Sequence, residues 1–142
     1  FKEKDQNREL LGLLLRTFSL IEKSSDVDTV LRIFEMRFLS ILGYKPVLDL
    51  CVRCNRAVDG IIRFNLIKGG IICRDCFKNT KHEIEINPGA LNFIKKSLTI
   101  DLSMIGRLKI PKGLEKGIRH TIHSYLRIRI GKKLKSYKLI IS

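Results

Sequence analysis

Four cysteines constrain this chain more than any other feature. They are spaced Cys51-x2-Cys54, eighteen residues, then Cys73-x2-Cys76, and the chain has no others. A C-x2-C turn curls tightly enough for both sulfurs to face one ion, and two such turns complete a tetrahedral shell. The spacing therefore reads as a structural Zn2+ site with Cys51, Cys54, Cys73 and Cys76 as ligands. Four thiolates leave no open coordination position, so the metal is expected to be structural rather than catalytic. Disulfides, a redox pair and an iron–sulfur cluster are the alternatives. Disulfides suit secreted chains, and a redox C-x-x-C is expected singly at a helix start. Arg53, Arg56 and Arg74 would offset the charge of the thiolates. His82, six residues after Cys76, reads as a surface histidine.

Around the cysteines the chain reads as helical. Residues 7–22 repeat apolar residues, including Leu11, Leu14, Leu15 and Phe18, at helical spacing. Ser24-Ser25-Asp26 is a break and an N-cap. A second helix is expected over 27–42, with Val30, Leu31, Phe34, Phe38, Ile41 and Leu42 as its apolar face, Gly43 closing it and Pro46 preventing resumption. A short loop between two amphipathic helices implies an antiparallel pair. Residues 61–66 and 71–73 read as strands around the turn Lys68-Gly69-Gly70, and 82–86 alternates like a strand or extended linker. Asn87-Pro88 opens a helix to about residue 98. A short element of uncertain type covers 101–108. A last helix is expected from Pro111 to at least Ile128, ending or bending near Gly131. The expected fold is mainly α: a helical bundle (1–50 and 77–142) with a small zinc-binding β-hairpin insert (51–76). A hairpin this small has little core, so the ion is expected to hold it together.

Charge is the second constraint. Lys and Arg total 28 against 14 Asp and Glu, a net charge of +14. Residues 1–49 balance eight against eight, whereas residues 107–142 carry eleven basic residues and only Glu115. A surface this one-sided points to a polyanionic partner. On a wheel at 100° per residue, Lys112, Lys116, Arg119, His120, His123 and Arg127 fall within roughly 100°, opposite Leu114, Ile118, Ile122, Tyr125 and Ile128. Arg129 and Ile130 break the pattern. Lys132, Lys133, Lys135 and Lys138 extend the charge. Such a stripe suits phosphate contacts or an acidic peptide, and its histidines could add pH dependence. A solvated helix face is the plainer alternative.

Other classes find no support in the residues. There is no phosphate loop, no G-x-S-x-G, no H-E-x-x-H and no G-x-G-x-x-G. No acid/base pair stands out, so no enzyme activity and no small-molecule substrate are expected. The longest apolar run is too short to span a membrane, and no leader is visible. A chain that begins at Phe1 reads as a fragment.

Several segments resemble the RecO family of bacterial DNA-repair proteins. Arg32 through Cys51, with Leu42-Gly43-Tyr44, then a proline and a leucine before the first knuckle, is similar to that family's helix and knuckle entry. Phe64 through Gly69-Gly70 to Cys73-x2-Cys76 resembles its hairpin and second knuckle. Asn87-Pro-Gly-Ala-Leu91 is like its Ser-Pro-Gly-Ala-Leu helix start, and Tyr125-Leu126 through Gly131-x2-Leu134-Lys135-Ser136 resembles its close. Asn55 stands where the family often has glycine, and Asn tolerates the left-handed conformation. The family's N-terminal OB-fold is absent from these residues. The resemblance implies a non-enzymatic mediator of recombinational repair, bacterial, cytoplasmic and nucleoid-associated. It implies single- and double-stranded DNA, RecR and the acidic C-terminal tail of single-strand binding protein as partners, and the four cysteines as zinc ligands. The competing class is an RNA- or ribosome-associated zinc-ribbon protein, which composition alone would fit.

Overall fold

The computed structural model describes residues 2–141; the side chains of residues 2, 133, 134 and 136–141 lie outside that description. In chain order the elements are α1 (Lys2–Lys23), α2 (Val27–Ile41), β1 (Ile62–Asn65), β2 (Gly70–Ile72), β3 (Glu83–Ile86), α3 (Pro88–Thr99), a short 3-10 helix (Leu102–Arg107) and α4 (Glu115–Ile141). The fold is a helical bundle carrying a small antiparallel sheet, as the sequence implies.

α1 and α2 form the expected antiparallel pair. The Gln6 amide near the start of α1 donates to the Ile41 carbonyl at the far end of α2, at 2.8 Å. Asp26 caps α2 by accepting from the Thr29 amide at 3.2 Å and its hydroxyl at 2.6 Å. At the other end Gly43 takes φ +91°. That left-handed residue turns the Gly43 amide to the Ser40 carbonyl (3.0 Å) and the Tyr44 amide to the Leu39 carbonyl (2.8 Å), satisfying two carbonyls the helix end would orphan.

The buried faces differ from the expected ones. α2 buries Val30, Ile33, Met36 and Leu39, while Leu31, Phe34, Phe38, Ile41 and Leu42 are half-buried. α1 buries Leu13 and Thr17 and leaves Leu11, Leu14, Leu15 and Phe18 exposed. Both helices are apolar over much of their circumference, so periodicity gives the repeat but not the phase.

The sheet order is β2-β1-β3, both pairings antiparallel. Arg63 lies opposite Ile72 on one side and Glu85 on the other; Phe64 lies opposite Ile71 and Ile84. Strand alternation therefore sends Ile62, Phe64, Ile71, Ile84 and Ile86 to one face and Arg63, Ile72 and Glu85 to the other. The first face is continuous with the bundle: Phe64, Ile71 and Ile86 join Ile33, Met36 and Leu39 of α2, Leu91 and Phe93 of α3, and Ile118 and Ile122 of α4 in one core. β3 lies outside 51–76 yet pairs with β1 inside it, so the sheet draws on both sides of the expected insert boundary.

Asn87 caps α3 as expected, accepting from the Gly89 amide at 2.7 Å, with Pro88 in the first turn. α4 departs at both ends. It begins at Glu115 and not at Pro111, because Pro111–Leu114 forms a turn with Gly113 at φ +87°. It also runs through Gly131 without a break; one glycine inside a long helix costs only about 1 kcal/mol. Arg129 falls on the packed side of α4, away from the basic face, and is engaged there. Its guanidinium donates to the Ile67 carbonyl at 2.5 Å and lies over the Tyr125 ring. Gly69 fits beneath it at φ +76°; a Cβ there would meet the Tyr125 hydroxyl at 2.7 Å and an Arg129 nitrogen at 2.8 Å. The middle of α4 is thus fastened to the β1–β2 turn. No helix among the described residues is long and apolar enough to cross a membrane.

Candidate metal centre

The two knuckles come together on the outer side of the sheet. The Val52 amide donates to the Ile71 carbonyl at 2.8 Å, tying the first knuckle to β2. Asn55 takes φ 65°, the left-handed conformation its side chain tolerates, and its amide returns to the Cys51 carbonyl at 2.9 Å. The second knuckle turns the same way, with the Phe77 amide on the Cys73 carbonyl at 3.0 Å. The sulfurs of Cys51, Cys54, Cys73 and Cys76 all lie within 4.8 Å of one another. All four are free thiols. Cys54 Sγ and Cys73 Sγ are 3.6 Å apart. A tetrahedron with metal–sulfur bonds of ~2.3 Å has sulfur–sulfur edges of about 3.8 Å, so the cluster has the size of a four-thiolate metal site. His82 is not part of it.

The electrostatics favour a cation. Burial opposes ionisation of Cys51, but the amides around it, from Cys54, Cys73 and Arg53, outweigh that and bring the thiol down to about 6. The Cys73 amide donates to Cys51 Sγ at 3.3 Å. Burial, then the neighbouring thiols, push Cys76 up to about 12. Close-packed thiols resist ionising together unless a positive ion sits among them. Cys51 and Cys73 are buried, and with Ile72 they make a small cluster of their own. Arg53, Arg56 and Arg74 are exposed around it, with no carboxylate within ion-pair distance among the described residues. Arg63 lies with its guanidinium 3.6 Å over the Phe77 ring, a contact with no sequence signal because the two residues are on different elements.

The basic stripe divides in two. Lys116, His120 and Arg127 on α4 are exposed without ionic partners among the described residues, as are Lys132 and Lys135 farther along. Lys112 is exposed in the turn before the helix. The Lys133 and Lys138 side chains lie outside the described residues. Arg119 and His123 are instead turned to α2: Arg119 meets Asp28 at 3.2 Å and His123 Nε2 meets Glu35 at 2.5 Å. Between them Arg32, only 5% exposed, bonds both Asp28 (3.2 Å) and Glu35 (2.5 Å). This ladder of Asp28, Arg32 and Glu35 was missed in the sequence, where its spacing of four and three residues along α2 was the available signal. An apolar groove of about 520 Å³ borders the start of α4, lined by Ile61, Ile62, Ile86, Ala90, Leu114 and Thr121 among others. Tyr125 and Leu126 are not part of it; Tyr125 is buried, its hydroxyl donating to the Tyr44 carbonyl at 2.9 Å.

The family model described as Recombination protein O C terminal matches residues 1–138. The chain is 31% identical over 139 residues to the DNA repair protein RecO of Bacillus pumilus, covering 98% of this chain and 54% of that protein. It is 32% identical over 138 residues to the DNA repair protein RecO of Pelotomaculum thermopropionicum, covering 97% and 54%. The likeness to that of Symbiobacterium thermophilum is 31% over 140 residues, 95% and 55%. No solved structure matches the chain. The chain spans about half the length of the curated relatives it matches. The match of the family's C-terminal model to residues 1–138, with relatives about a third identical along nearly the whole sequence, places this chain in the RecO family.

Proposed function

We propose that this chain is a non-catalytic, zinc-binding part of a bacterial recombination mediator, acting in the cytoplasm alongside the nucleoid. The observation that carries it is the match to the family's C-terminal model over residues 1–138, supported by a sulfur cluster of tetrahedral size. Zn2+ is the ion we assign to Cys51, Cys54, Cys73 and Cys76, since four thiolates in a closed shell suit a structural zinc. The ion braces the knuckles and does no chemistry. DNA, single- or double-stranded, is held through its phosphates by Lys112, Lys116, His120, Arg127, Lys132 and Lys135. Arg119 and His123 contribute less, because Asp28 and Glu35 on α2 already hold their side chains. RecR and the acidic tail of single-strand binding protein are the protein partners. The groove beside α4 offers an apolar floor for the tail's side chains; its lining carries Glu85 and no lysine, so the tail's carboxylates would fall to Lys112 and Lys116, which flank Leu114 in the chain. The alternative of an RNA- or ribosome-associated zinc ribbon finds no support among the relatives, whose names are those of DNA repair proteins.

Salt-dependent DNA binding by Lys116→Gln/Arg127→Gln tests the reading. Each lost phosphate contact should lower the slope of log affinity against log salt by about 0.9, so about 1.8 for the pair on duplex DNA, equally for all sequences. An unchanged slope refutes the assignment, and stronger binding to RNA in competition favours the zinc-ribbon alternative.

A further inference from the structure

The four sulfurs are not equivalent. Cys51 and Cys73 are buried, Cys76 is half-buried and Cys54 is exposed. Cys54 also stands between Arg53 and Arg56, both exposed and with no carboxylate within ion-pair distance among the described residues. A reachable thiolate flanked by positive charge is the one an oxidant meets first. Its sulfur lies against one from the other knuckle: Cys54 Sγ and Cys73 Sγ are 3.6 Å apart, nineteen positions from each other in the chain. Cys51, in the same knuckle as Cys54, is 1% exposed, and its sulfur accepts from the Cys73 amide at 3.3 Å.

We propose that Cys54 is an oxidation site, and that a hydroperoxide joins it to Cys73 with release of the zinc ion. The inference rests on the zinc assignment made above. The Cys54 thiolate attacks one peroxide oxygen; the O–O bond breaks, leaving a sulfenic acid on Cys54 and hydroxide as leaving group. The Cys73 thiolate then attacks the Cys54 sulfur, the S–O bond breaks and a second hydroxide departs. Each thiolate gives up one electron, and the peroxide takes both. Cys51 and Cys76 remain as ligands, too few for a structural zinc, which takes a closed shell. The new bond spans the gap the ion spanned. A disulfide inside either knuckle, Cys51 with Cys54 or Cys73 with Cys76, would leave the two knuckles unlinked. Oxidation across the knuckles exchanges an ionic staple for a covalent one: the metal leaves and the turns stay together.

The test treats the whole 142-residue chain, loaded with zinc, with about 1 mM hydrogen peroxide. Zinc release is followed with a chromogenic chelator, and remaining thiols are counted by alkylation. Trypsin then separates the cysteines, because Arg53 lies between Cys51 and Cys54 and Arg74 between Cys73 and Cys76. Mass spectrometry of the unreduced digest therefore reads the pairing directly. The expected result is roughly one zinc ion released for every two thiols lost, a peptide pair joined through Cys54 and Cys73, and zinc uptake restored by a dithiol reductant. Amide exchange in 51–58 and 71–77 of the oxidised chain should be about tenfold slower than in reduced chain stripped by a chelator. A map dominated by either in-knuckle disulfide, zinc release without a disulfide, or zinc and thiols that withstand peroxide overturns the proposal and leaves the zinc assignment standing. A chain that takes up no zinc before peroxide is added overturns that assignment, and this proposal with it.

Discussion

Ile71 and Ile72 are neighbours on one strand and belong to two different kinds of interior. Ile71 points into the bundle among Phe64, Ile86, Phe93 and Ile122, where burial of many apolar side chains holds the structure. Ile72 points the other way, onto Cys51 and Cys73. There its neighbours are the thiols of Cys51 and Cys73, with Val58 and Cys76 at the edge, and the knuckles are held by turn hydrogen bonds. A strand one residue out of phase would exchange the two environments. The comparison teaches that the sheet is a partition: its inner side is stabilised by hydrophobic burial, its outer side by turn hydrogen bonds around a sulfur cluster of the size a metal ion needs.

The sharpest break of this comparison is on the burial side. Phe93 is 2% exposed in the common core, and Phe93→Ala should cost about 3–5 kcal/mol, read as a lower urea midpoint for the whole chain. If only α3 loosened, the core would not be the single unit described. Next in size is the metal. Stripping it with a chelator should speed amide exchange in 51–58 and 71–77 about a hundredfold, roughly 2.8 kcal/mol of local opening, and leave α4 nearly unchanged. Uniform loosening would mean that the partition does not insulate. The smallest effect concerns the polar brace of the outer side. The Glu83 carboxylate accepts from the Lys78 amide at 3.1 Å and the Thr80 amide at 3.0 Å, pinning the loop after the second knuckle to β3. Burial of Glu83 opposes its charge, but the Thr80 and Lys78 amides outweigh it and hold the carboxyl below its usual range. A depressed carboxyl stabilises above its unfolded value and loses that contribution as pH falls through its folded value. Glu83→Gln should therefore loosen residues 78–82 at neutral pH by at most about 1 kcal/mol, since water competes at this half-buried site. The difference from the parent chain should vanish below the usual carboxylate range; exchange measured at both pH values checks it.

The local parts of the fold were legible. Asn87-Pro88 opens α3, Gly43 closes α2, and the paired C-x2-C spacing predicts the sulfur cluster, because each is decided within a few residues of chain. What the sequence hid was decided across distance. That α1 would bury Leu13 and expose Leu15 depends on where α2 lies, and apolar residues on both sides leave the choice open. That Arg119 and His123 would turn from the stripe depends on Asp28 and Glu35, about ninety residues earlier in the chain. The start of α4 was misjudged because Pro111 suits a first helical position, yet Gly113 in the left-handed region stops the helix from forming until Glu115.

The fastening of Arg129 to the β1–β2 turn gives the molecule a fixed gauge. From that turn the chain runs three residues along β2 to Cys73, and from Arg129 the same helix carries Arg127 and Lys132 within one turn. The distance between the sulfur cluster and the basic surface is thus held by the shared core and, at this point, by a bracket of one glycine and one guanidinium. A methyl group at Gly69 would act as a wedge in that bracket, displacing the tips of Tyr125 and Arg129 and straining a left-handed backbone position, while leaving every residue on either surface intact.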